Sequence, residues 1–124
     1  MRDVKRDLLL GLAMRTVEIL LYTLKPGTGA EFDRIMRETS VPMQNAVAID
    51  VVRFGNSAHE ADRYYLIRAF DSLAHLEQSQ ASFYASDAWR SGPRQSIIDR
   101  IETSMKSVIE LDAVAVEALR LKRG

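Results

Sequence analysis

Residues Thr16–Leu24 read Thr-Val-Glu-Ile-Leu-Leu-Tyr-Thr-Leu, a run rich in β-branched and large apolar side chains that predicts a β-strand. The next five residues, Lys25-Pro26-Gly27-Thr28-Gly29, end this strand. Proline cannot donate a hydrogen bond to a strand ladder, and glycine permits a tight turn. The fold therefore depends on which elements follow this first strand and turn.

The segment after the turn has apolar residues at helical spacing, which predicts a first helix over Glu31–Thr39. Thr28 is the expected N-cap of this helix, and Glu31 is three residues further on, where it completes a capping box. Pro42 is expected to bend or end the helix, which Met43–Val47 then resumes.

Three more strands and three more helices are predicted in the remaining sequence. The strands are expected at Ala48–Gly55, Asp62–Phe70 and Ser104–Leu111, and the helices at Leu73–Ala85, Arg94–Thr103 and Ala113–Leu121. A polar loop joins the first two of these strands, so they form a hairpin. The order strand, helix, strand, strand, helix, strand predicts an α+β protein of ferredoxin-like topology, with a split βαβ pattern and a four-stranded antiparallel sheet.

The composition is typical of one globular domain. The 124 residues include 17 basic and 17 acidic residues, so the net charge is +0 and no basic field attracts nucleic acid or a membrane surface. Cysteine is absent, which excludes disulfides, thiolate metal sites and cysteine nucleophiles. The two histidines, His59 and His75, lie in different segments and argue against a metal site. We expect a cytoplasmic protein without a cofactor or metal.

The chain is expected to have three parts. Residues 1–13 are interpreted as an extension outside the fold, because Met14 is a second candidate initiation residue and the first strand follows it directly. A signal peptide is not favoured, since acidic residues accompany the basic ones and the apolar run is short. The domain itself is expected over residues 14–112, and a C-terminal helix over residues 113–124.

Side chains alternate between the two faces of a sheet, so the predicted strands define two sets of residues. The odd-numbered set is nearly all apolar and is expected to lie under the helices: Val17, Ile19, Leu21, Ile49, Val51, Tyr65, Ile67, Ala69, Ile109 and Leu111. The even-numbered set mixes charged residues with an apolar patch that includes Val52 and Leu66. Because the helices of so small a domain cannot cover both faces, we expect the even-numbered face to pack against a second copy of the chain.

Charged residues of the even-numbered face form a candidate site. With the hairpin turn centred on His59, Asp50 falls opposite Arg68, and Phe54 falls opposite Tyr64. The predicted site comprises Glu18, Tyr22, Asp50, Tyr64, Arg68 and Glu110. Clustered carboxylates can raise one another's pKa and produce a general base. The alternative is a set of structural cross-strand ion pairs at the rim of a dimer.

Aromatic residues near the second predicted helix form another candidate. Phe83 and Trp89 are placed to line the mouth of a ligand pocket, or alternatively to pack in the core beneath an irregular segment. Arg90 and Arg94 flank Trp89 and are suited to a carboxylate or phosphate group, although as surface charges they need no such role.

Three segments together resemble the NIPSNAP family: Tyr22-Thr23-Leu24-Lys25-Pro26-Gly27 followed by Phe32, Asp71-Ser72-Leu73 after an aromatic-rich strand, and the stretch Phe83 to Trp89. The resemblance covers about Thr16 to Leu111. It implies a dimeric α/β barrel, usually a homodimer, without implying a particular reaction. The wider superfamily includes cofactorless monooxygenases, haem-using enzymes and isomerases, and the fold does not choose among them.

Two functions remain open at this point. In the first, the homodimer binds a small apolar or aromatic molecule in a cavity of the α/β barrel. Tyr22, Tyr64 and Arg68 would orient this ligand, and Glu18 or Asp50 would move protons if the protein is an enzyme. In the second, the protein is a non-catalytic module for protein–protein interaction or dimer structure. The first predicts a cavity large enough for a ligand, and the second predicts none.

Overall fold

A computed structural model describes residues 13–120 of the chain, together with Asp3 and Lys5. The elements are β1 (Met14–Leu24), α1 (Gly29–Ile35), a π-helical turn (Met36–Ser40), α2 (Val41–Ala46), β2 (Asp50–Ser57), β3 (Glu60–Phe70), α3 (Leu73–Ala85), α4 (Asp87–Ser91), α5 (Arg94–Ile98), β4 (Ile101–Asp112) and α6 (Ala113–Leu119). All strand pairs are antiparallel, in the order β2-β3-β1-β4. The predicted four-stranded ferredoxin-like fold is confirmed.

The two ends of the chain are largely outside this description. Most of the predicted extension, residues 1–13, lies outside the described residues, and so does the predicted end of the last helix at residue 121. None of the helices in the described part is long and apolar enough to cross a membrane.

The helix predicted over Glu31–Thr39 is interrupted in the structure. Its α-helical part is followed by the π-helical turn Met36–Ser40, after which α2 begins with Pro42 in its first turn. Proline is tolerated at that position because the first N–H groups of a helix have no partner within it. A π-helical turn accommodates one extra residue and frequently marks a functional site. It leaves Ser40 and Gln44 buried between helix and sheet.

The turn before α1 is held by a carboxylate from the opposite hairpin. The predicted capping box is not formed, since Thr28 Oγ1 donates instead to the carbonyl of Lys25 at 2.7 Å. Asp62 accepts from the backbone N–H groups of Gly27 and Gly29, each at 2.9 Å. Gly27 has φ 82°, a left-handed conformation that favours glycine. The long β2–β3 hairpin and α1 therefore fix one another.

The last strand is longer than predicted and the helix before it is shorter. The predicted helix Arg94–Thr103 ends at Ile98, because the backbone of Arg100 already accepts a hydrogen bond from Lys25 at 2.9 Å. From Ile101 onward β4 pairs with β1. Asp112 then caps α6 as its side chain accepts from the N–H of Ala115 at 2.7 Å.

The assignment of faces is wrong for β1, β3 and β4, since Ile109 and Leu111 of β4 share the face of Val17. The even-numbered residues of β1 and β3 lie under the helices, in a core that includes Leu20, Leu24, Tyr64, Leu66, Phe70, Phe32, Leu76, Phe83 and Trp89. The odd-numbered residues lie on the opposite face, which we call the open face. There Val17 and Ala69 form a second small core with Val52 and with Val116 of α6. Both faces of β1 are apolar, so its alternation does not indicate which one the helices cover.

Strand β2 contains a β-bulge at Val52, where the register shifts between Val51 and Arg53. The bulge supplies one residue more than the opposing strand and turns the following side chains to the other face. The pairs predicted for this hairpin are therefore wrong. They were Asp50 with Arg68 and Phe54 with Tyr64, whereas the observed pairs are Asp50 with Ala69 and Phe54 with Leu66.

Candidate functional site

An ion pair between β1 and β3 lies in the interior, beneath the helices. Glu18 and Arg68 are direct partners on the two strands and are 0% and 1% exposed. Arg68 donates from Nε and Nη2 to the same oxygen of Glu18, at 2.8 and 2.6 Å. Because a buried charge is costly without compensation, this pair requires further hydrogen bonds.

Three helical side chains supply those hydrogen bonds. Gln80 of α3 donates to the second oxygen of Glu18. Arg68 Nη1 donates to the Gln44 side-chain oxygen of α2 at 2.9 Å and to the Tyr84 hydroxyl of α3 at 3.0 Å. Among the residues that the structure describes, no buried side-chain nitrogen or oxygen lacks a partner. The network therefore joins two strands to two helices and is fully satisfied.

The predicted cluster of three carboxylates around Arg68 does not form, and Glu18 alone of the three contacts it. Asp50 lies on the open face and accepts two hydrogen bonds from Arg120, the C-cap residue of α6, at 2.8 and 3.1 Å. These hydrogen bonds lower the pKa of Asp50. Glu110 is exposed on the edge strand β4. The prediction failed because the bulge in β2 moves Asp50 away from Arg68.

Two of the predicted pocket residues are placed in the core. Tyr64 is buried against Phe32, with ring centroids 4.9 Å apart, and its hydroxyl donates to Asp33 at 2.7 Å. Burial and then the Asp33 hydrogen bond raise the pKa of Tyr64. Phe83 is also buried and packs on Trp89, at 5.4 Å between centroids. The contacts of Tyr64 and Phe83 are those of packing residues.

A cleft of about 440 Å³ opens between β1, the start of β4 and helices α3, α4 and α5, and we call it the aromatic cleft. It is lined by aromatic, aliphatic and basic side chains: Tyr22, Tyr84 and Trp89, then Ile97, Ile98 and Ile101, then Arg90 and Arg94. The rings of Tyr84 and Trp89 meet edge to face, with centroids 5.2 Å apart. Two predicted pocket residues, Tyr22 and Trp89, thus line the cleft, and Trp89, which is 7% exposed, also packs in the core as the alternative prediction had it.

Three polar side chains of the aromatic cleft lack a protein partner in the described part of the chain, whereas the Tyr84 hydroxyl accepts from Arg68. Within residues 13–120, the side chains of Tyr22, Arg90 and Arg94 make no hydrogen bond or ion pair. Burial raises the pKa of Tyr22, so its hydroxyl stays protonated at neutral pH. A ligand in the cleft would therefore meet polar groups that are free to bind it.

Two other cavities are less suited to binding a ligand. One of about 510 Å³ runs along β2, but its two arginines, Arg37 and Arg120, are already ion-paired with Asp33 and Asp50. Another, of about 250 Å³, lies on the open face near exposed apolar residues. We therefore take the aromatic cleft as the candidate ligand site.

Tyr84, Gln44 and Gln80 were not predicted as site residues. Tyr84 follows Phe83 directly and carried the same aromatic signal, so it was open to prediction. Gln44 reaches Arg68 from α2, which follows a π-helical turn. Gln80 reaches Glu18 because Glu18 is buried in the core. A single sequence carries no signal for either.

Comparison with known proteins supports the fold and gives the family. The NIPSNAP family model matches residues 17–109. A NIPSNAP family protein of unknown function from Agrobacterium tumefaciens is 22% identical with a TM-score of 0.71, covering 79% of this chain and 88% of that one. A NIPSNAP-like domain protein from Burkholderia xenovorans is 16% identical, also with a TM-score of 0.71, covering 79% of this chain and 84% of that one.

No curated protein matches the sequence. The structural similarities, at these identities, concern the fold. The family match extends over most of the chain, from Val17 near the start of β1 to Ile109 near the end of β4. The chain belongs to the NIPSNAP family.

Proposed function

We propose that the protein is a homodimer that binds a small apolar or aromatic molecule in the aromatic cleft. The observation that carries this proposal is a cleft of about 440 Å³ whose walls are mainly aromatic and aliphatic and which contains three polar side chains, those of Tyr22, Arg90 and Arg94, without a hydrogen-bond or ion-pair partner among the described residues. Pockets for small molecules commonly measure about 300–1,000 Å³ and combine apolar walls with a few polar groups.

Proton transfer by a carboxylate is not part of the proposal. Both oxygens of Glu18 are hydrogen-bonded in the interior, to Arg68 and Gln80. Asp50 lies on the open face, away from the cleft, and is held by Arg120. Neither carboxylate is placed to act as the general base that the sequence suggested.

The open face supports the dimer. Helix α6 covers part of this face, but Leu21 is 51% exposed beside its strand partner Met105, which is 70% exposed, and Ile109 is exposed four residues further along β4. Exposed apolar residues grouped on one face are typical of an interface. A second copy of the chain suits it, because two-fold pairing covers the same patch on both copies and a net charge of zero does not oppose association.

The ligand site can be tested with the emission of Trp89, the only tryptophan of the chain. We expect N-phenyl-1-naphthylamine, a neutral aromatic probe, to quench this emission saturably. The substitution Ile98→Asp places a carboxylate on the cleft wall and should weaken probe binding by roughly 10-fold, because a desolvated charge opposes an apolar ring.

Val114→Asp is the matched control. Val114 is 55% exposed on α6, compared with 44% for Ile98, and lies outside the cleft. We expect it to leave probe binding unchanged. If Trp89 emission does not respond, or if both variants weaken binding equally, the cleft is not the site and the non-catalytic dimer module becomes the better description.

A further inference from the structure

The hydroxyl group of Tyr84 accepts one hydrogen bond from the protein but donates none to a described residue. Arg68 Nη1 donates to Tyr84 Oη at 3.0 Å, so the oxygen is the acceptor in this hydrogen bond. No residue in the described part of the chain accepts the Tyr84 proton. The side chain is 37% exposed and lines the aromatic cleft. A phenol both donates and accepts, so the remaining donor is available to an occupant of the cleft.

Arg68 is held so that it cannot turn away from Tyr84. Two of its nitrogens bind Glu18, and the third binds both Gln44 and the Tyr84 hydroxyl. A buried cation that donates to a phenol oxygen draws negative charge onto that oxygen and makes the phenol a stronger donor. Tyr84 is therefore a pre-oriented and polarised hydrogen-bond donor, and Arg68 is the residue that positions it.

Two guanidinium groups line the same cleft. Arg90 of α4 and Arg94 of α5 are exposed and form no ion pair with any described residue, whereas Arg34 on α1 pairs with two glutamates. A guanidinium group presents a planar fork of donors that matches a carboxylate. The cleft thus combines apolar walls with two positive charges and two neutral phenol donors, Tyr22 and the polarised Tyr84.

We propose that the aromatic cleft selects aromatic or apolar anions, in particular carboxylates. Arg90 and Arg94 meet the negative charge, and Tyr84 donates a hydrogen bond to a ligand oxygen. This inference rests on the proposed function and adds the chemical class of the ligand. A neutral aromatic of the same size keeps the contact with Trp89 and loses the three polar contacts.

The test compares 1-naphthoate with 1-methylnaphthalene, which share a ring system and size but differ in charge. Binding is measured by quenching of Trp89 emission and by calorimetry at low ionic strength. We expect 1-naphthoate to bind at least roughly 10-fold more tightly, since charge-assisted hydrogen bonds are the strong ones. Added salt should reduce this advantage, because the arginines are exposed.

Variants separate a donor role from a packing role. Tyr84→Phe should weaken 1-naphthoate binding by roughly 10-fold and leave 1-methylnaphthalene binding unchanged. Arg90→Gln combined with Arg94→Gln should reduce the preference for the anion to the part that Tyr84 supplies, and should remove its salt dependence. Arg63→Gln is the matched control, since Arg63 is also exposed and without a partner among the described residues, but lies outside the cleft.

The outcomes are distinguishable. Equal affinities of the unsubstituted protein for the two probes would overturn the preference for anions and leave the cleft as a ligand site. Failure of both probes to bind would refute the ligand site itself and this inference with it. A loss on Tyr84→Phe that is equal for both probes would mean that Tyr84 contributes packing only, and would contradict its role as a donor.

Discussion

Two ion pairs in this molecule have the same chemistry and opposite surroundings. Glu18 and Arg68 have side chains that are each 1% exposed, whereas those of Asp50 and Arg120 are 31% and 32% exposed. The interior pair is enclosed by hydrogen bonds from α2 and α3, and the outer pair ties α6 to β2. Burial determines their roles: the interior pair fixes the position of Tyr84, and the outer pair adds little to stability.

The largest effect is expected when one partner of the interior pair is removed. Arg68→Met should lower the free energy of unfolding by about 3–5 kcal/mol, because it leaves the carboxylate of Glu18 buried without its counter-charge. Urea denaturation followed by circular dichroism measures this loss.

The double variant Glu18→Leu with Arg68→Met is the control for that loss. It removes both charges and should recover part of the stability, since an apolar pair of similar volume is tolerated where an unpaired charge is not. Recovery should be incomplete, because Gln44 and Gln80 lose their partners. A cost below about 1 kcal/mol for Arg68→Met would contradict the prediction, because it would mean that losing the guanidinium does not leave an uncompensated buried charge at Glu18.

An intermediate effect is expected on the open face, at the exposed apolar residues Leu21 and Met105. Leu21→Lys should raise the dissociation constant of the dimer by at least roughly 10-fold, because the new ammonium group is desolvated in the interface. Size-exclusion chromatography with light scattering at micromolar concentration measures the change.

Leu73→Lys provides the comparison for that variant. Leu73 is 53% exposed at the start of α3, nearly the same as Leu21, but it belongs to the helical layer. Its substitution should leave the dimer intact. A protein that elutes as a monomer before any substitution would contradict the proposed dimer directly.

The smallest effect is expected at the outer pair. Asp50→Asn should cost about 0.5 kcal/mol at neutral pH, as is usual for exposed pairs. The pKa of Asp50 is lowered by Arg120, so its stabilising contribution is present above the unfolded pKa of about 3.9 and is lost as the pH falls through the lower folded value.

Unfolding followed as a function of pH checks this sign. The curves for the unsubstituted protein and for Asp50→Asn should differ at neutral pH and converge in acid. A difference that stays constant down to the most acidic pH would mean that the pair does not account for the effect of the substitution.

The order of strands and helices could be predicted because it depends on local signals. Runs of β-branched residues and the Pro26-Gly27 turn each act over a few residues, and so does the Ser72 cap of α3, which accepts the N–H of His75 at 3.0 Å. The ferredoxin-like topology follows from the sequence of these elements.

The faces and the site could not be predicted in the same way, because they depend on packing between distant segments. β1 is apolar on both sides, and Glu18 and Arg68 have the side chains of surface residues. Their burial becomes understandable only with Gln44, Gln80 and Tyr84 around them. The bulge at Val52 also shifts the register of β2 against β3, and no short sequence pattern predicts it.

The π-helical turn Met36–Ser40 gives this part of the chain a tolerance in length. A wider turn takes up one extra residue, so the helices on its two sides keep nearly the same rotation about the axis. Deleting one residue of the turn would let α1 run straight into α2 and would leave Gln44 close to its present direction toward Arg68. Deleting a residue from a regular α-helix would instead rotate everything after it by about 100°. A homologue with one residue fewer in the turn can therefore keep a glutamine as the acceptor for the buried guanidinium.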